Sequence, residues 1–498
     1  MIKMDRKQLY RLIEEAEPGE REALERLVAH SPWRQQFHIQ PEAGLLNDPN
    51  GFSYYGGEYH LFYQWFPLGT QHGMKYWYHT SSSDLVHWKN LGIGIAPGGQ
   101  YDSHGVFSGS AIEKDGKLFL MYTGNTRTED WIRLPYQCLA VMERDGTVIK
   151  LERPVIFDVA PGYTDHYRDP KVWKAAEGFY CVIGAQRTDH TGCVVLYSSP
   201  DLHNWRFEGE LGTRLMKFGY MWECPDYFEL DGAGVLLFSP QGLSPEGDKF
   251  PNIYQSGYLT GDPLRLPDRD FRHGEFRELD YGFDFYAPQT TQAPDGRRLL
   301  VGWMGLPEID YPTDQHGWAH CLTLPRELTL ENGRLIQRPA RELVKRRGRM
   351  TEAHTVIHSG TAEMKELGGT VYELLAQIRE DGAERFGIEF RVGPNERTVI
   401  YYDTAAGKVV LDRSESGQAL ALEFGRERSC TADLRDRMLT LQLFVDTSSV
   451  EVFVNDGETV FSARIFPEQV STGIRLYTEG GSAEFRVVQW EIEYNGEE

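Results

Sequence analysis

Hydrophobic positions fall into two textures along this chain. Over residues 5–30, Leu9, Leu12, Ile13 and Ala16, then Leu24, Leu27 and Val28, recur at helical spacing, which predicts a short helical N-terminal extension over residues 1–36. After Phe37 the apolar residues come instead in short aromatic and β-branched runs cut by Gly, Asp and Pro, the texture of an all-β protein.

Within that second texture one unit repeats. A turn followed by an apolar strand occurs as GGEYHLFYQ, DGKLFLMYTG, EGFYCVIGAQ, DGAGVLLFSPQG and DGRRLLVGWMG, with the turn glycines at 57, 116, 178, 232 and 296, so the steps are 59, 62, 54 and 64. SSDLVHW (82–88) is echoed by SPDLHNW (199–205), Asp84 and Asp201 lying 117 positions apart, about two steps. Five units of about 60 residues, each long enough for four short strands, predict a five-bladed β-propeller over residues 37–340. A β-sandwich pair is the competing assignment, since D-G hairpins are frequent in all-β folds. A basic, linker-like run near 335–350 then leads into renewed strand texture, with Leu439, Leu441 and Leu443 alternating on one face, which predicts a C-terminal β-sandwich domain over residues 341–498.

Counting nine residues back from each turn glycine gives Asp48, Phe107, Asp169, Glu223 and Ala287, in the settings NDPNG, VFSGS, YRDPK, WECPD and YAPQT. If these positions are equivalent and lie on innermost strands, three carboxylates from distant sequence meet at one end of the central channel. Gathering like charges in a partly buried pocket costs energy unless they are paired, so this placement points to function rather than to turn formation.

Charge and composition narrow the partners. The net charge of −22 opposes binding to nucleic acid or an anionic membrane surface, although a local basic pocket can still take an anion. Six widely spaced cysteines form no CxxC pair, which argues against a zinc site or a disulfide framework and fits a reducing compartment. The first 20 residues lack the apolar core of a secretory signal, and no apolar run approaches the ~18 residues a membrane span needs, so the expected location is cytoplasmic. No dinucleotide or P-loop glycine fingerprint appears, and no cofactor is expected.

Three carboxylates could hold a divalent cation or perform acid–base and nucleophilic work on a glycoside. Gln64, Trp65, Tyr76, Trp77, Phe107, Trp222, Tyr286 and Trp303 surround the acids in sequence, and aromatic faces with amides suit sugar rings better than a metal. Ser108 lacks a nucleophile-elbow setting and is expected to contact sugar through its hydroxyl. His72, His79 and His87 are expected to pack or hydrogen-bond rather than bind metal.

NDPNG, FSGS, RDP and EC, in that order, resemble glycoside hydrolase family 32, the invertase and fructanase family of β-fructofuranosidases. YHLFYQ (59–64), DLVHW (84–88), DFYAPQT (284–290), GWMG (302–305) and SSVEVFVNDGE (448–458) extend the resemblance over residues 37 to 490. It implies a five-bladed propeller followed by a β-sandwich and a retaining β-fructofuranosidase. By the same resemblance Asp48 is the nucleophile, Glu223 the acid/base, and Asp169 the stabiliser of the transition state, with Asn47, Gln64, His72, Phe107, Ser108, Arg168, Tyr286 and Trp303 contacting sugar. Within the family, LLNDPNG, HGMKYWYH, FGYMWECPD and NIYQSGY look most like the intracellular bacterial hydrolases of sucrose 6-phosphate. Leu45, Leu46 and His72 stand where the family commonly has Trp-Met and a Trp. A phosphorylated substrate requires a cationic partner, and Lys75, close to His72, is the expected one. Glu223 is expected to have a raised pKa. The alternatives are a plain invertase or exo-fructanase, an inverting arabinan-cleaving propeller, and a non-catalytic carbohydrate-binding propeller with a lectin-like sandwich.

Overall fold

The structure, a computed structural model, describes residues 4–493; residues 1–3 and 494–498, at the ends of the expected extension and sandwich, lie outside the described residues. Five antiparallel blades are arranged around one axis. Their innermost strands are Gly44–Tyr55 (blade I), Val106–Lys114 (II), Tyr163–Ala175 (III), Met221–Leu230 (IV) and Tyr286–Gln292 (V). The repeating turns join first to second strands. At Asp115-Gly116 φ is 53° and 74°, and at Asp231-Gly232 51° and 81°, the positive pair that a tight hairpin turn requires.

Each inner strand carries a β-bulge near its start, one extra residue against the second strand. The breaks fall between Leu46 and Pro49, Val106 and Gly109, Arg168 and Lys171, Glu223 and Asp226, and Tyr286 and Gln289. This register corrects the count from the turn glycines. Asn47, Phe107, Asp169, Cys224 and Ala287 are equivalent, and so are Leu46, Val106, Arg168, Glu223 and Tyr286. The three acids therefore occupy three successive positions of the bulge rather than one, because blade I carries a second bulge between Asn50 and Ser53 and the blade IV strand is one residue shorter. Asp169, Cys224 and Ala287 take up the bulge with φ of 68°, 48° and 48°.

The residues just beyond the bulges close the propeller. Gly109 N donates to Asn50 Oδ1 at 2.9 Å, joining blades I and II. Ser110 Oγ donates to Pro170 O at 2.8 Å and accepts from Val172 N at 3.0 Å, joining II and III. Lys171 donates to Thr290 O at 2.6 Å and pairs with Asp226 at 2.9 Å, while Thr290 N donates to the same Asp226 at 2.8 Å, joining III, IV and V. Gln289 closes the ring, accepting from Phe52 N at 3.0 Å and donating to Gly109 O at 2.6 Å. Gly109 is obligatory here: a Cβ would lie 2.0 Å from Met121 O. At the chain's own seam, Trp318–Ala319 pairs in parallel with Gly44 and Leu45.

The N-terminal segment is not one helix. It forms Arg6–Leu9 and Glu20–Ala29 with a 3-10 turn at Ile13–Glu15 between them, because Pro18-Gly19 interrupts the pattern and Gly19 starts the second helix at φ 83°. Its first half lies over blade I, where Met74 N donates to Leu9 O at 2.7 Å and Ile13 N to Tyr76 Oη at 2.8 Å.

Beyond Arg347 the chain forms ten strands in one continuous ladder that folds over into two facing layers. Strand Gly473–Ile492 belongs to both: residues 473–479 pair with Arg385–Val392 and residues 482–491 with Tyr372–Asp381. The switch falls at Gly480-Gly481, next to the break at Ser359 in Arg347–Glu363. Leu374, Ile388, Leu441, Val452, Leu476 and Phe485 are all fully buried between the layers.

A buried polar network fastens this sandwich to the propeller. Glu451, in the SVEVF run, accepts from Arg326 Nη2 at 2.6 Å, from Leu324 N at 2.7 Å and from His38 Nε2 at 3.2 Å. Arg326 Nη2 also donates to Asp280 at 3.0 Å, and His38 Nδ1 to Asp446 at 2.8 Å. Burial lowers the His38 pKa, but Asp446 and Glu451 outweigh it and hold the ring cationic. Glu451→Ala strands Arg326 and His38 in a dry interface, so it should destabilise the protein by about 3–5 kcal/mol. Denaturant unfolding checks this; a cost under about 1 kcal/mol would show that the interface is wet and the pair dispensable.

Candidate active site

The five bulges aim side chains into the mouth of the central channel, and there the three acids meet. Cys224 links them. Its N–H donates to Asp169 Oδ2 at 3.0 Å, its Sγ lies 3.7 Å from Asp48 Oδ2, and Glu223 precedes it. Burial, then the charges of Asp169, Asp48 and Glu223, push the thiol well above its ordinary pKa, so it stays protonated and can donate to Asp48.

Asp48 takes a donor on each carboxylate oxygen. Ser108 Oγ donates to Oδ2, and Asn47 Nδ2 to Oδ1 at 3.1 Å. Both donors are positioned from behind: Gln64 accepts from Asn47 at 2.6 Å and donates to Ser108 at 2.7 Å, and Lys75 Nζ donates to Asn47 Oδ1 at 2.8 Å. Burial raises the Asp48 pKa and Glu223 adds to it, while Ser108, Asn47 and Lys75 oppose the rise. Lys75 is 4% exposed, and burial depresses its pKa to about 7 although Asp48 pulls it up. The expected phosphate partner is thus corrected: Lys75 is spent on Asn47, beneath the nucleophile candidate, and does not reach outward.

Glu223 is surrounded by donors. Arg168 Nε and Nη2 donate to Oε1 at 2.9 and 2.6 Å, Tyr286 Oη to Oε2 at 2.7 Å and Gln241 Nε2 to Oε2 at 2.8 Å. The expected raised pKa is overturned. Burial does push the carboxyl up, but Arg168 and Tyr286 outweigh it and hold Glu223 below the usual range. Asp169 goes the other way: burial raises it, Arg168 opposes, Glu223 and Asp48 add to the rise, and it reaches about 7. The cluster therefore retains a proton into the neutral range, shared among interacting carboxyls rather than owned by one.

The remaining expected residues separate into floor and lip. Trp303 is buried, its Nε1 donating to His320 Nδ1 at 2.6 Å, with the Tyr286 ring 6.0 Å away. His72 is exposed at the lip, tilted against Trp303 with centroids 5.9 Å apart. Phe107 is half-buried, its carbonyl accepting from Trp77 Nε1 at 3.1 Å. His79 packs in the core, stacked on Phe62 at 4.1 Å, and His87 pairs with Asp84 at 3.0 Å on the surface. Among the described residues no group of three His, Cys, Asp or Glu side chains is arranged to hold a metal ion.

Two contributors are missing from the sequence reading, Gln241 and His320. Gln241 had a signal: like Gln64 and Gln186 it lies within the last three residues of the second strand of its blade. His320 had none, since it comes from an irregular stretch outside the repeat.

Residues 38–339 match the Glycosyl hydrolases family 32 N-terminal domain, and residues 342–492 match the Glycosyl hydrolases family 32 C terminal. The sequence is 46% identical over 492 residues to sucrose-6-phosphate hydrolase of Staphylococcus xylosus, covering 99% of each chain. It is 42% identical over 472 residues to sucrose-6-phosphate hydrolase of Bacillus subtilis, covering 93% of each. The structure of sucrose-6-phosphate hydrolase from Lactobacillus gasseri superposes with a TM-score of 0.92 at 35% identity, over 99% of this chain and 100% of that one.

The raised Asp169 predicts a stability cost with a defined sign. Between the ordinary Asp pKa and about 7 the folded state holds a proton that the unfolded chain has released, so stability falls as pH rises through that window. Asp169→Asn keeps an acceptor for Cys224 N–H and removes the titration. Its thermal midpoint should exceed that of the wild type at pH 8, with the gap closing toward pH 4. A difference independent of pH would mean that Asp169 ionises in the fold at no cost.

Proposed function

Since the chain belongs to glycosyl hydrolase family 32, a family of glycoside hydrolases, we propose that it hydrolyses sucrose 6-phosphate to glucose 6-phosphate and fructose with retention of configuration. The observation that carries this reading is the pair of carboxylates at one channel mouth with opposed surroundings: Asp48 held by one hydroxyl and one amide, Glu223 held by an arginine, a tyrosine and a glutamine. Two carboxyls with separate environments are what double-displacement glycoside chemistry requires. The phosphorylated substrate is supported by the two bacterial relatives and the solved structure carrying that name.

In the first step an Asp48 oxygen forms a bond to C2 of the fructosyl unit as the bond from C2 to the bridging oxygen breaks. Glu223 delivers its proton to that oxygen, and the glucosyl unit leaves as an alcohol. In the second step Glu223 takes a proton from water, the water oxygen bonds to C2, and Asp48 is released as carboxylate. The four donors around Glu223 favour its ionised form, so they make it a strong acid toward the leaving oxygen and bind the carboxylate that results. The proton must reach it first, and Asp48 and Asp169 supply the negative field that keeps one in the cluster. Asp169, beside Arg168, is placed to hold fructosyl hydroxyls and to stabilise positive charge developing at the ring. The partner is a small sugar. Among the described residues no helix is long and apolar enough to cross a membrane, and a cytoplasmic location suits a substrate that is already phosphorylated.

The direct test is kcat/KM for sucrose 6-phosphate beside that for sucrose; a preference for the unphosphorylated sugar refutes the substrate assignment. Asp48→Ala and Glu223→Ala should each remain folded and lose several orders of magnitude in kcat/KM. A variant retaining more than about a tenth, roughly 1.4 kcal/mol of lost stabilisation, removes that residue from the mechanism. Retention requires β-fructose as the first product seen by NMR before mutarotation, and initial α-fructose would eliminate Asp48 as nucleophile.

A further inference from the structure

A second cluster of charge adjoins the acids on the blade II and III side of the channel mouth. Arg168 Nη1 donates to His166 Nδ1 at 3.0 Å, and Arg133 Nη1 donates to the same nitrogen at 3.3 Å. A continuous chain of contacts therefore runs from Glu223 through Arg168 and His166 to Arg133. Arg133 opens the third strand of blade II, and its partner across the ladder is Arg127, which ends the second strand. The two flank the short hairpin loop at residues 128–132 at the same end of the blade as the bulge, and Arg127 lies over the Trp131 ring at 5.6 Å. Arg6 of the N-terminal helix lies over the same ring at 4.3 Å.

This arrangement is expensive without a ligand. Like charges directly opposite in a ladder repel, and Arg127 and Arg133 are half-buried, where solvent screens them poorly. Burial first, then Arg168 and Arg127, push Arg133 down to about 10, and only Asp165 and Glu223 oppose them. Glu223 is already saturated by its four donors. Among the described residues, Arg127 Nε and Arg133 Nε are buried without a hydrogen-bond partner. Two unpaired guanidinium donors in a chain of net charge −22 mark a place for an anion. On the blade IV and V side of Glu223 the lip presents an acid instead, since Tyr254 Oη donates to Glu308 at 2.9 Å.

We propose that Arg127 and Arg133 form the phosphate subsite of this enzyme, holding the 6-phosphate of the leaving sugar, with His166 as a neighbouring donor. His166 accepts from both arginines through Nδ1, so its proton is on Nε2; burial and the two arginines hold its pKa near about 4, and it acts as a neutral donor. The position matches the chemistry. The leaving sugar departs on the Glu223 side, and its phosphate lies one ring beyond the bond being broken, which is where the contact chain from Glu223 ends. Planar guanidinium forks bind phosphate oxygens two at a time, a geometry that a single lysine does not offer.

This inference rests on the sucrose 6-phosphate reading, and one set of measurements separates the two. We would measure kcat/KM for sucrose 6-phosphate and for sucrose in the wild type, Arg127→Gln and Arg133→Gln, with inhibition by glucose 6-phosphate beside glucose. Each variant should lower the ratio of the two kcat/KM values by about tenfold or more, the scale of one lost charge-assisted contact, and weaken glucose 6-phosphate inhibition in parallel. Lys75→Met, which disturbs Asn47 beneath Asp48, should lower both substrates together and leave the ratio alone. Arg133→Lys distinguishes a fork from a charge: it should restore part of the ratio but not all. A wild type that prefers plain sucrose refutes the substrate reading and the subsite with it. A wild-type preference for the phosphate that survives in both Gln variants overturns the subsite alone.

Discussion

The propeller depends on one constraint: five separate sheets must be closed around an axis where no main-chain ladder runs between them. Side chains supply the missing bonds. Asn50, Ser110, Lys171, Asp226, Gln289 and Thr290, each placed just past a bulge, join every blade to the next. The ionic part of that ring is buried, and Lys171 is satisfied by both Asp226 and a backbone carbonyl. The bulge above the ring turns the next few residues into the channel mouth. Closure and chemistry thus occupy adjacent positions of the same five motifs, and the rigidity of one sets the precision of the other.

At the mouth the electrostatic problem is three carboxylates with two cations. Arg168 is committed to Glu223, and Lys75 reaches Asp48 only through Asn47. The deficit appears as a raised Asp169 and a buried neutral thiol at Cys224. Such a site is costly to the fold and useful to the reaction, since a retained proton is what the departing oxygen needs and the excess negative charge is what an oxocarbenium-like centre attracts. A surplus of positive charge at Arg127 and Arg133 lies next to this deficit. On the proposed reading, the two imbalances face opposite ends of one disaccharide.

Among the described residues, the second domain contributes no group to the contacts around Asp48, Asp169 and Glu223. Its sheet folds over its own core, and its link to the propeller is polar: Glu451 is shared by Arg326 and His38, and Asp284 by Arg413 and Arg464 N–H. Phe444, Phe453 and Val460 add apolar contacts to the propeller core, while the specific polar pairing fixes one orientation and holds the last blade, from which Arg326 comes.

The sequence alone determined what repeats. Hairpin turns at regular steps announced five blades, alternating Leu439, Leu441 and Leu443 announced a sandwich, and NDPNG, RDP and EC singled out Asp48, Asp169 and Glu223 for one mouth. Local chemistry encodes these features: a turn needs its glycine, and a strand needs its alternating face. What sequence could not carry is the count across a bulge. Extra residues in the inner strands, two bulges in blade I against one in blade II, make equal spacing from a glycine differ from equal position on a blade. That same offset decided that half of each motif is for closure and that Arg168 pairs with Glu223. Proximity of His166 to Arg133, or of Glu451 to His38, joins residues 33 and 413 positions apart. Such contacts have no local signature, because their energy comes from burial and pairing that exist only once the chain is folded.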